Sequence, residues 1–236
     1  MTVNQIYDYL LGKIHLLNKN YQSNLEFSLE GNSEIVYLCL LRTELNYIYK
    51  IRTLISYDHI ENCNRISTPY FFINHLNVTE ILFPILLKNE RISYLSTLED
   101  FFIVTPSLLE DKQKKDVVSI FNFSIKDNSD IDRFVLEINR FTEEYVEPFF
   151  TKWSNLEMIL ALIDNTSQLD FCEMVSYGAY VKPIVYKIMG RIDDYNDYME
   201  RFINYNKERA INDPSEIFKT QKFNASIELK ESLDKI

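Results

Sequence analysis

The stretch from Asp116 to Asp164 constrains the fold most, because it combines strand, turn, helix and chain-break signals in one continuous segment. Its first part, residues 117–125, is rich in β-branched and aromatic residues on both faces, which predicts a central strand. Residues 126–128 (Lys-Asp-Asn) are turn formers. Ser129 or Asp130 then offers a side-chain oxygen to the open N–H groups of a following helix.

Residues 129–146 carry one apolar stripe at helical spacing, which predicts an amphipathic helix. The members of the stripe are Ile131, Phe134, Val135, Ile138, Phe141, Tyr145 and Val146. Pro148 lacks a backbone N–H and restricts Glu147, so we expect the helix to kink or stop there. Ser154 and Glu157 have the spacing of a capping box, which predicts a second helix after the break.

The N-terminal segment predicts a helix followed by strands. Val3–Lys19 has an apolar face at helical spacing, and residues 25–30 alternate between apolar and polar side chains as a half-buried strand does. Gly31-Asn32 predicts a turn after that strand.

Residues 34–57 fit two templates, a helix and a pair of strands. The density of β-branched residues and tyrosines favours two strands, 34–43 and 47–57, with a turn near Glu44-Leu45-Asn46. In that interpretation the odd-numbered positions from Ile35 to Ile55 form the apolar face.

The remaining segments are predicted from turn residues and helical spacing. Towards the middle of the chain these are a loop (58–69), an aromatic segment (69–76), a short helix with Pro84 inside it, a strand (101–105) and a charged connector (108–116). Towards the end they are a helix (169–189) bent or restarted at Pro183, a stop at Gly190, a helix (193–206), a break (212–214) and a last, weakly anchored helix (224–236).

Composition and charge narrow the class of function. The chain of 236 residues carries a net charge of −10, and 46% of its residues are hydrophobic. It can bury a sizeable core, and it lacks the basic footprint of nucleic-acid-binding proteins. No apolar run is long enough to span a membrane, and no signal-peptide pattern is present. We therefore expect a cytoplasmic protein that binds neither nucleic acid nor membranes and whose acidic surface attracts a basic protein partner.

The motifs of catalysis and metal binding are absent from the sequence. Four isolated glycines cannot form the phosphate-binding loops of nucleotide enzymes. His59 and Cys63 are four positions apart and supply only two metal ligands. Glu143, Glu144 and Glu147 form the densest carboxylate cluster, and we expect them on the solvated side of the amphipathic helix. We predict no catalytic residue, no metal site and no cofactor.

The C-terminal half resembles an uncharacterised bacterial family, domain of unknown function 4304. The residues that carry the resemblance are Phe134, Ile138, Glu147-Pro148-Phe149-Phe150, Leu156, Ile188-Met189-Gly190-Arg191 and Asp194-Tyr195. The resemblance implies an α+β fold and supplies no catalytic residue.

The predicted fold is a single α+β domain over residues 1–236. It has a largely antiparallel sheet from the N-terminal half (20–125), helices (129–206) packed on one face, and a loosely anchored tail (207–236).

The function that we expect is that of an uncharacterised bacterial, non-catalytic protein-interaction or immunity-type protein with an acidic surface. Aromatic residues crowd the helix break, and aromatic side chains are enriched at protein interfaces. The predicted partner-binding residues are Glu147, Phe149, Phe150 and Trp153. The alternative is a small metal-dependent hydrolase or nuclease that uses dispersed carboxylates.

Overall fold

The structure, a computed structural model, describes residues 1–30, 33–89, 108–109 and 111–236. It confirms the predicted α+β class, with an antiparallel sheet in the N-terminal half and helices in the C-terminal half. The predicted turn at Gly31-Asn32 and the predicted strand 101–105 lie outside the described residues.

The chain separates into two compact units, each built from two stretches of sequence. The first contains Met1–Ile73 and Leu108–Lys152, and the second contains Asn74–Ser107 and Trp153–Ile236. The single domain expected over residues 1–236 stays a prediction. Because each unit is discontinuous in sequence, no linker or shift in composition marks a boundary between them.

The sheet is antiparallel and its strands follow the order β1-β2-β3-β4-β6, with β5 also paired to β3. The strands are β1 (Gln22–Glu30), β2 (Ser33–Glu44), β3 (Tyr47–Asp58), β4 (Cys63–Ile66), β5 (Tyr70–His75) and β6 (Ser124–Ile125). The two strands predicted for residues 34–57 are confirmed, and so is the turn between them at Leu45-Asn46. β4 lies inside a segment that the sequence predicts to be a loop.

The buried face of the sheet changes parity between β2 and β3. In β2 the even-numbered Val36, Leu38 and Leu40 are buried, whereas in β3 the odd-numbered residues from Tyr49 to Ile55 are buried. The prediction that odd positions form one apolar face through both strands is therefore wrong for β2. The register explains the change, because Glu44 pairs with Tyr47 and each even position of β2 lies opposite an odd position of β3.

The predicted central strand over residues 117–125 is wrong. Helix α3 (Asp111–Ile120) includes its first four residues, and only Ser124–Ile125 forms a strand. The lysines and the glutamine before Val117 favour a helix, and Asp111 lies in its positive first turn. The helix continues through the β-branched residues. Val117 and Phe121 are still buried, so the apolar run contributes to the core.

Helix α1 (Val3–Lys13) covers the buried face of β1, β2 and β3. Thr2 and Gln5 cap its first turn reciprocally, and Ile6 and Leu10 are fully buried beneath it. Helix α4 (Asn128–Phe141) packs beside α1. Its N-cap is Asp127, rather than the predicted Ser129 or Asp130, and Asp130 completes a capping box with it.

Pro148 does not end the helical segment that begins with α4. A π-helical turn (Thr142–Val146) joins α4 to α5 (Glu147–Trp153), and the N–H of Glu147 bonds to the carbonyl of Thr142, five residues back. In a regular α-helix the ring of Pro148 would clash with the carbonyl four residues before it. The wider turn relieves that clash, which is how the helix passes the proline.

The second unit is built from helices. They are α2 (Leu76–Lys88), α6 (Leu156–Asn165), α7 (Gln168–Met174), α8 (Gly178–Ile188), α9 (Ile192–Asn212) and α10 (Ile217–Leu233). Asn155 caps α6 by accepting from the N–H of Glu157, so the predicted cap at Ser154 is displaced by one residue. Pro183 lies inside α8 without interrupting it.

The break in the predicted helix 169–189 falls before Gly178 instead of at Pro183. Tyr177 adopts a left-handed conformation (φ 55°) and separates α7 from α8. A Cβ on Gly178 would lie 3.0 Å from the Cα of Cys172, so glycine permits the close approach of the two helices. Gly190 ends α8 in the left-handed region (φ 72°), as predicted.

The segment expected to be a loosely anchored tail forms the end of α9 and the whole of α10. The predicted break in the helical chain is confirmed at Asp213-Pro214, between α9 and α10. In α10 the side chains of Ala225, Leu229 and Leu233 are buried, and α10 packs mainly along α9 and also against α2.

Candidate functional site

The aromatic residues predicted to bind a partner lie in the interior. Phe149, Phe150 and Trp153 are 5%, 0% and 6% exposed. The ring of Phe149 contacts that of Phe71 edge-on at 5.0 Å, and the ring of Phe150 lies 4.8 Å from that of Tyr49. The register set by the π-helical turn directs Phe149 and Phe150 towards the sheet, so these rings fill the core instead of forming a surface.

Glu147 is held inside a cluster of four side chains, the Glu147 cluster (Tyr21, Arg42, Tyr49 and Glu147). Its Oε1 accepts from the hydroxyl of Tyr21 and from Nη1 of Arg42, each at 2.7 Å. The guanidinium of Arg42 lies over the rings of Tyr21 and Tyr49, 5.0 and 4.5 Å from their centroids. Burial and the hydrogen bond to Glu147 raise the pKa of Tyr21, so its hydroxyl stays protonated and donates.

The Glu147 cluster ties three elements of the first unit together. Tyr21 directly precedes β1, Arg42 lies in β2 and Glu147 begins α5. The side chains of Arg42 and Glu147 are only 20% and 28% exposed, so their contacts are worth more than those of a solvated ion pair. These contacts give Glu147 a structural role, because they hold the three elements together.

The two other glutamates of the predicted carboxylate cluster are solvated. Glu143 and Glu144 are exposed on the outer side of the π-helical turn. Glu144 pairs with Nε of Arg140 at 3.0 Å, one helical turn away. Exposed pairs of this kind contribute little free energy.

Metal binding finds no support in the described part of the chain, where no group of three His, Cys, Asp or Glu side chains is placed to hold an ion. His59 packs edge-on against the ring of Tyr57 at 5.0 Å. Cys63 lines a small cavity of about 250 Å³ together with Glu61 and Arg65. Residues 59–62 form a turn and Cys63 begins β4, so His59 and Cys63 do not lie one turn apart on a helix.

A wide depression of about 930 Å³ lies between the start of α1 and the start of α4. Asp8 and Asp127 both line it. The carboxylate of Asp127 accepts from the N–H and the hydroxyl of Ser129 at 2.8 and 2.6 Å. These bonds hold the pKa of Asp127 below its usual value, so it stays ionised and serves as a helix cap instead of a general acid.

Among the described strands, β1 lies at one edge of the sheet. The hydrogen bonds of β3 show in which direction the backbone groups of β1 point. Leu54 donates its N–H to Oγ of Ser67 (3.0 Å) and accepts from the N–H of Ser67 (2.9 Å), so its backbone points away from β2. This direction alternates along every antiparallel strand. Through the registers of β3 with β2 and of β2 with β1, the odd-numbered residues of β1 point their N–H and C=O groups outwards. They are Ser23, Leu25, Phe27 and Leu29.

Those outward backbone groups carry no hydrogen bond to any residue that the structure describes. Natural edge strands are usually protected by lysine, proline, a bulge or a covering segment. The sequence of β1, QSNLEFSLE, contains no lysine or proline, and its pairing with β2 runs through nine positions without a bulge. Within the described part of the chain, the protection of this long edge is therefore the charge of Glu26, without lysine, proline, a bulge or a covering segment.

Apolar side chains flank this edge on the side of α1. The rings of Tyr7 and Phe27 meet edge-on at 6.1 Å, whereas Tyr9 on the other flank of α1 points to Asp132 of α4. Leu11 lies one helical turn after Tyr7 on the β1 flank and is 47% exposed. Along β1 the exposed fraction rises from 9% at Leu25 to 68% at Leu29. We call Tyr7, Leu11, Phe27 and Leu29 the β1–α1 groove.

The β1–α1 groove is not predicted by any motif, although part of its signal is visible in the sequence. The alternation of residues 25–30 predicts a half-buried strand, and the absence of lysine and proline can be read directly. Which strand lies at the edge depends on the pairing order, and no local pattern contains that order.

Comparisons with known proteins do not assign the chain to a family, since it matches no protein-family model, no curated protein and no solved structure. The resemblance to the uncharacterised bacterial family stays a prediction. Among the described residues, no helix has both the length and the apolar character that crossing a bilayer requires.

Proposed function

We propose that the chain is a non-catalytic protein-interaction protein of the immunity type, which holds a basic protein partner in the cytoplasm. The observation that carries the proposal is the open edge of β1. Four residues there present backbone groups that no described residue pairs with, and a protein segment is the class of ligand that satisfies such a row of donors and acceptors.

The charge of the chain supports a basic partner. The net charge of −10 steers cationic proteins towards the surface and repels acidic ones. Glu26, at the centre of β1, is exposed, and no described lysine or arginine lies within ion-pair distance of it. The half-buried thiols of Cys39, Cys63 and Cys172 fit a reducing compartment such as the cytoplasm.

Site-specific photo-crosslinking in the native host tests the proposal. A photoreactive amino acid replaces Leu29 on the edge, and in a matched control it replaces Ile211 of α9, which is similarly exposed. We expect a protein adduct at position 29 whose partner is basic and whose yield falls when the salt concentration rises. Equal adduct patterns at the two positions, or an acidic partner at position 29, would overturn the proposal.

A further inference from the structure

We infer that the β1–α1 groove binds an extended segment in which apolar and basic residues alternate. The inference rests on the proposed function and names the chemistry of the segment that β1 receives. Three features of the first unit carry it: the direction of the backbone groups, the apolar flank of α1 and the position of Glu26.

The backbone of β1 sets the conformation of the ligand. Ser23, Leu25, Phe27 and Leu29 offer N–H and C=O groups at every second residue, which is the spacing of one edge of a strand. An added strand hydrogen-bonds to these residues and continues the sheet beyond β1. A helix cannot do so, because its own backbone bonds already occupy its donors and acceptors.

The face of β1 that is turned towards α1 determines which kind of side chain is favoured at every second position of the ligand. Residues of the added strand directly opposite Leu25, Phe27 and Leu29 project their side chains to the same side as these three. There they meet Tyr7 and Leu11, which already form an apolar wall. Apolar side chains at these positions cover Leu29 and the half-exposed Phe27. Charged side chains are disfavoured there, because they would be desolvated.

The face of β1 that points away from α1 determines which kind of side chain is favoured at the remaining positions of the ligand. Glu26 projects away from α1, between the polar residues Asn24 and Ser28. A ligand residue opposite Glu26 lies within cross-strand distance of its carboxylate, so lysine or arginine is favoured and an acidic residue is repelled. Shifting the ligand by one residue exchanges its two faces, and so the alternation fixes its register.

A second copy of the chain fits this edge poorly. If two β1 strands pair about a two-fold axis through their centres, the two copies of Glu26 face each other. That contact repels, and neither β1 supplies a lysine or arginine to compensate for it. The expected occupant is therefore a segment of a different protein.

Three blocked nine-residue peptides provide the probes, matched in length to β1. One alternates valine and lysine, the second has the same composition in two blocks, and the third alternates valine and glutamate. Fluorescence anisotropy at physiological salt measures binding to the full chain. We expect the alternating valine–lysine peptide to bind at least about tenfold more tightly than either of the others.

Variants of the chain locate the binding. Leu29→Pro removes one outward N–H, whereas Leu29→Ala keeps it and removes only the side chain. We expect the proline variant to lose about tenfold in affinity for the valine–lysine peptide and the alanine variant to lose less. Glu26→Lys should weaken that peptide and strengthen the valine–glutamate one, and it stays informative if Leu29→Pro fails to fold.

Several results would overturn the inference. They are equal affinity for the alternating and block peptides, no response to Glu26→Lys, or a dimer of the unliganded chain that Leu29→Pro dissociates. If crosslinking at position 29 still captures a basic partner, the proposed function survives and only the alternating segment is wrong. If that crosslink is absent as well, both fail.

Discussion

The guanidinium of Arg42 lies 2.7 Å from the carboxylate of Glu147, and the pair joins β2 to the start of α5 across 105 residues of sequence. The hydroxyl of Tyr21 reaches the same carboxylate oxygen, across 126 residues. Glu147 is therefore the acceptor on which two other elements converge. Its removal leaves a half-buried guanidinium and a buried hydroxyl without their partner.

Glu147→Ala is expected to lower the free energy of unfolding by about 2 kcal/mol, because the desolvated donors of Arg42 and Tyr21 lose their acceptor. Tyr21→Phe removes one donor and leaves the ion pair, so we expect a loss of about 1 kcal/mol. Urea unfolding followed by circular dichroism measures both. Glu143→Ala is the control, because Glu143 is exposed, and it should change stability by less than about 0.5 kcal/mol.

If Glu147→Ala unfolds at the same urea concentration as Glu143→Ala, the Glu147 cluster does not hold the first unit together. A double-mutant cycle between Arg42→Ala and Glu147→Ala separates the pair from the other contacts of each residue. We expect the two changes to be clearly non-additive, because each alone removes the same interaction.

The role of Glu147 could not be predicted from the sequence, because its partners are distant along the chain. Locally it belongs to a run of glutamates on the polar side of an amphipathic helix, and that pattern correctly predicts solvated positions for Glu143 and Glu144. The neighbouring Phe149 and Phe150 could equally belong to an interface or to the core. Only the three-dimensional contacts with Tyr49 and Phe71 decide that they are core.

The strands were predictable to the extent that local composition determines them. Residues 34–57 contain enough β-branched and aromatic residues to identify two strands and their turn. The shared odd parity could not hold, because a two-residue turn at Leu45-Asn46 places even positions of β2 opposite odd positions of β3. For residues 117–120 the local composition predicts the wrong element, because strand-forming side chains there continue a helix that begins at Asp111.

Gly178→Ala is expected to destabilise the chain by about 1–3 kcal/mol, a typical cost of overpacking. The added Cβ would lie 3.0 Å from the Cα of Cys172 and 3.2 Å from the ring of Phe171, and the backbone atom cannot move aside without shifting α7. Thermal unfolding measures the change. Gly12→Ala is the matched control, because its Cβ meets nothing within 4 Å and alanine favours the helix by about 0.5–1 kcal/mol.

The two glycine variants should thus shift the melting temperature in opposite directions. A neutral result for Gly178→Ala would mean that α7 and α8 approach each other less closely than the structure places them. A loss of stability in Gly12→Ala would contradict the open surroundings of that position in α1.

The buried imidazole of His75 is expected to make the free energy of unfolding depend on pH between about 6.5 and about 4. Burial lowers the pKa of His75 to about 4, and the hydrogen bond between its Nε2 and the carbonyl of Trp153 (2.8 Å) offsets only part of that effect. As pH falls through 6.5 the unfolded chain binds a proton that the folded chain does not, so the free energy of unfolding decreases. Below about pH 4 both states are protonated, and the loss of up to about 3 kcal/mol is complete.

Urea unfolding at a series of pH values isolates this contribution when the wild-type chain is compared with His75→Gln. Glutamine does not titrate, and its amide can still donate to the carbonyl of Trp153, so the stability of the wild type relative to His75→Gln should fall as pH falls from 6.5 to 4. His15→Gln, the same change at an exposed histidine, is the matched control. Parallel pH profiles for the wild type and His75→Gln would show that the imidazole of His75 is hydrated or can be protonated within the fold.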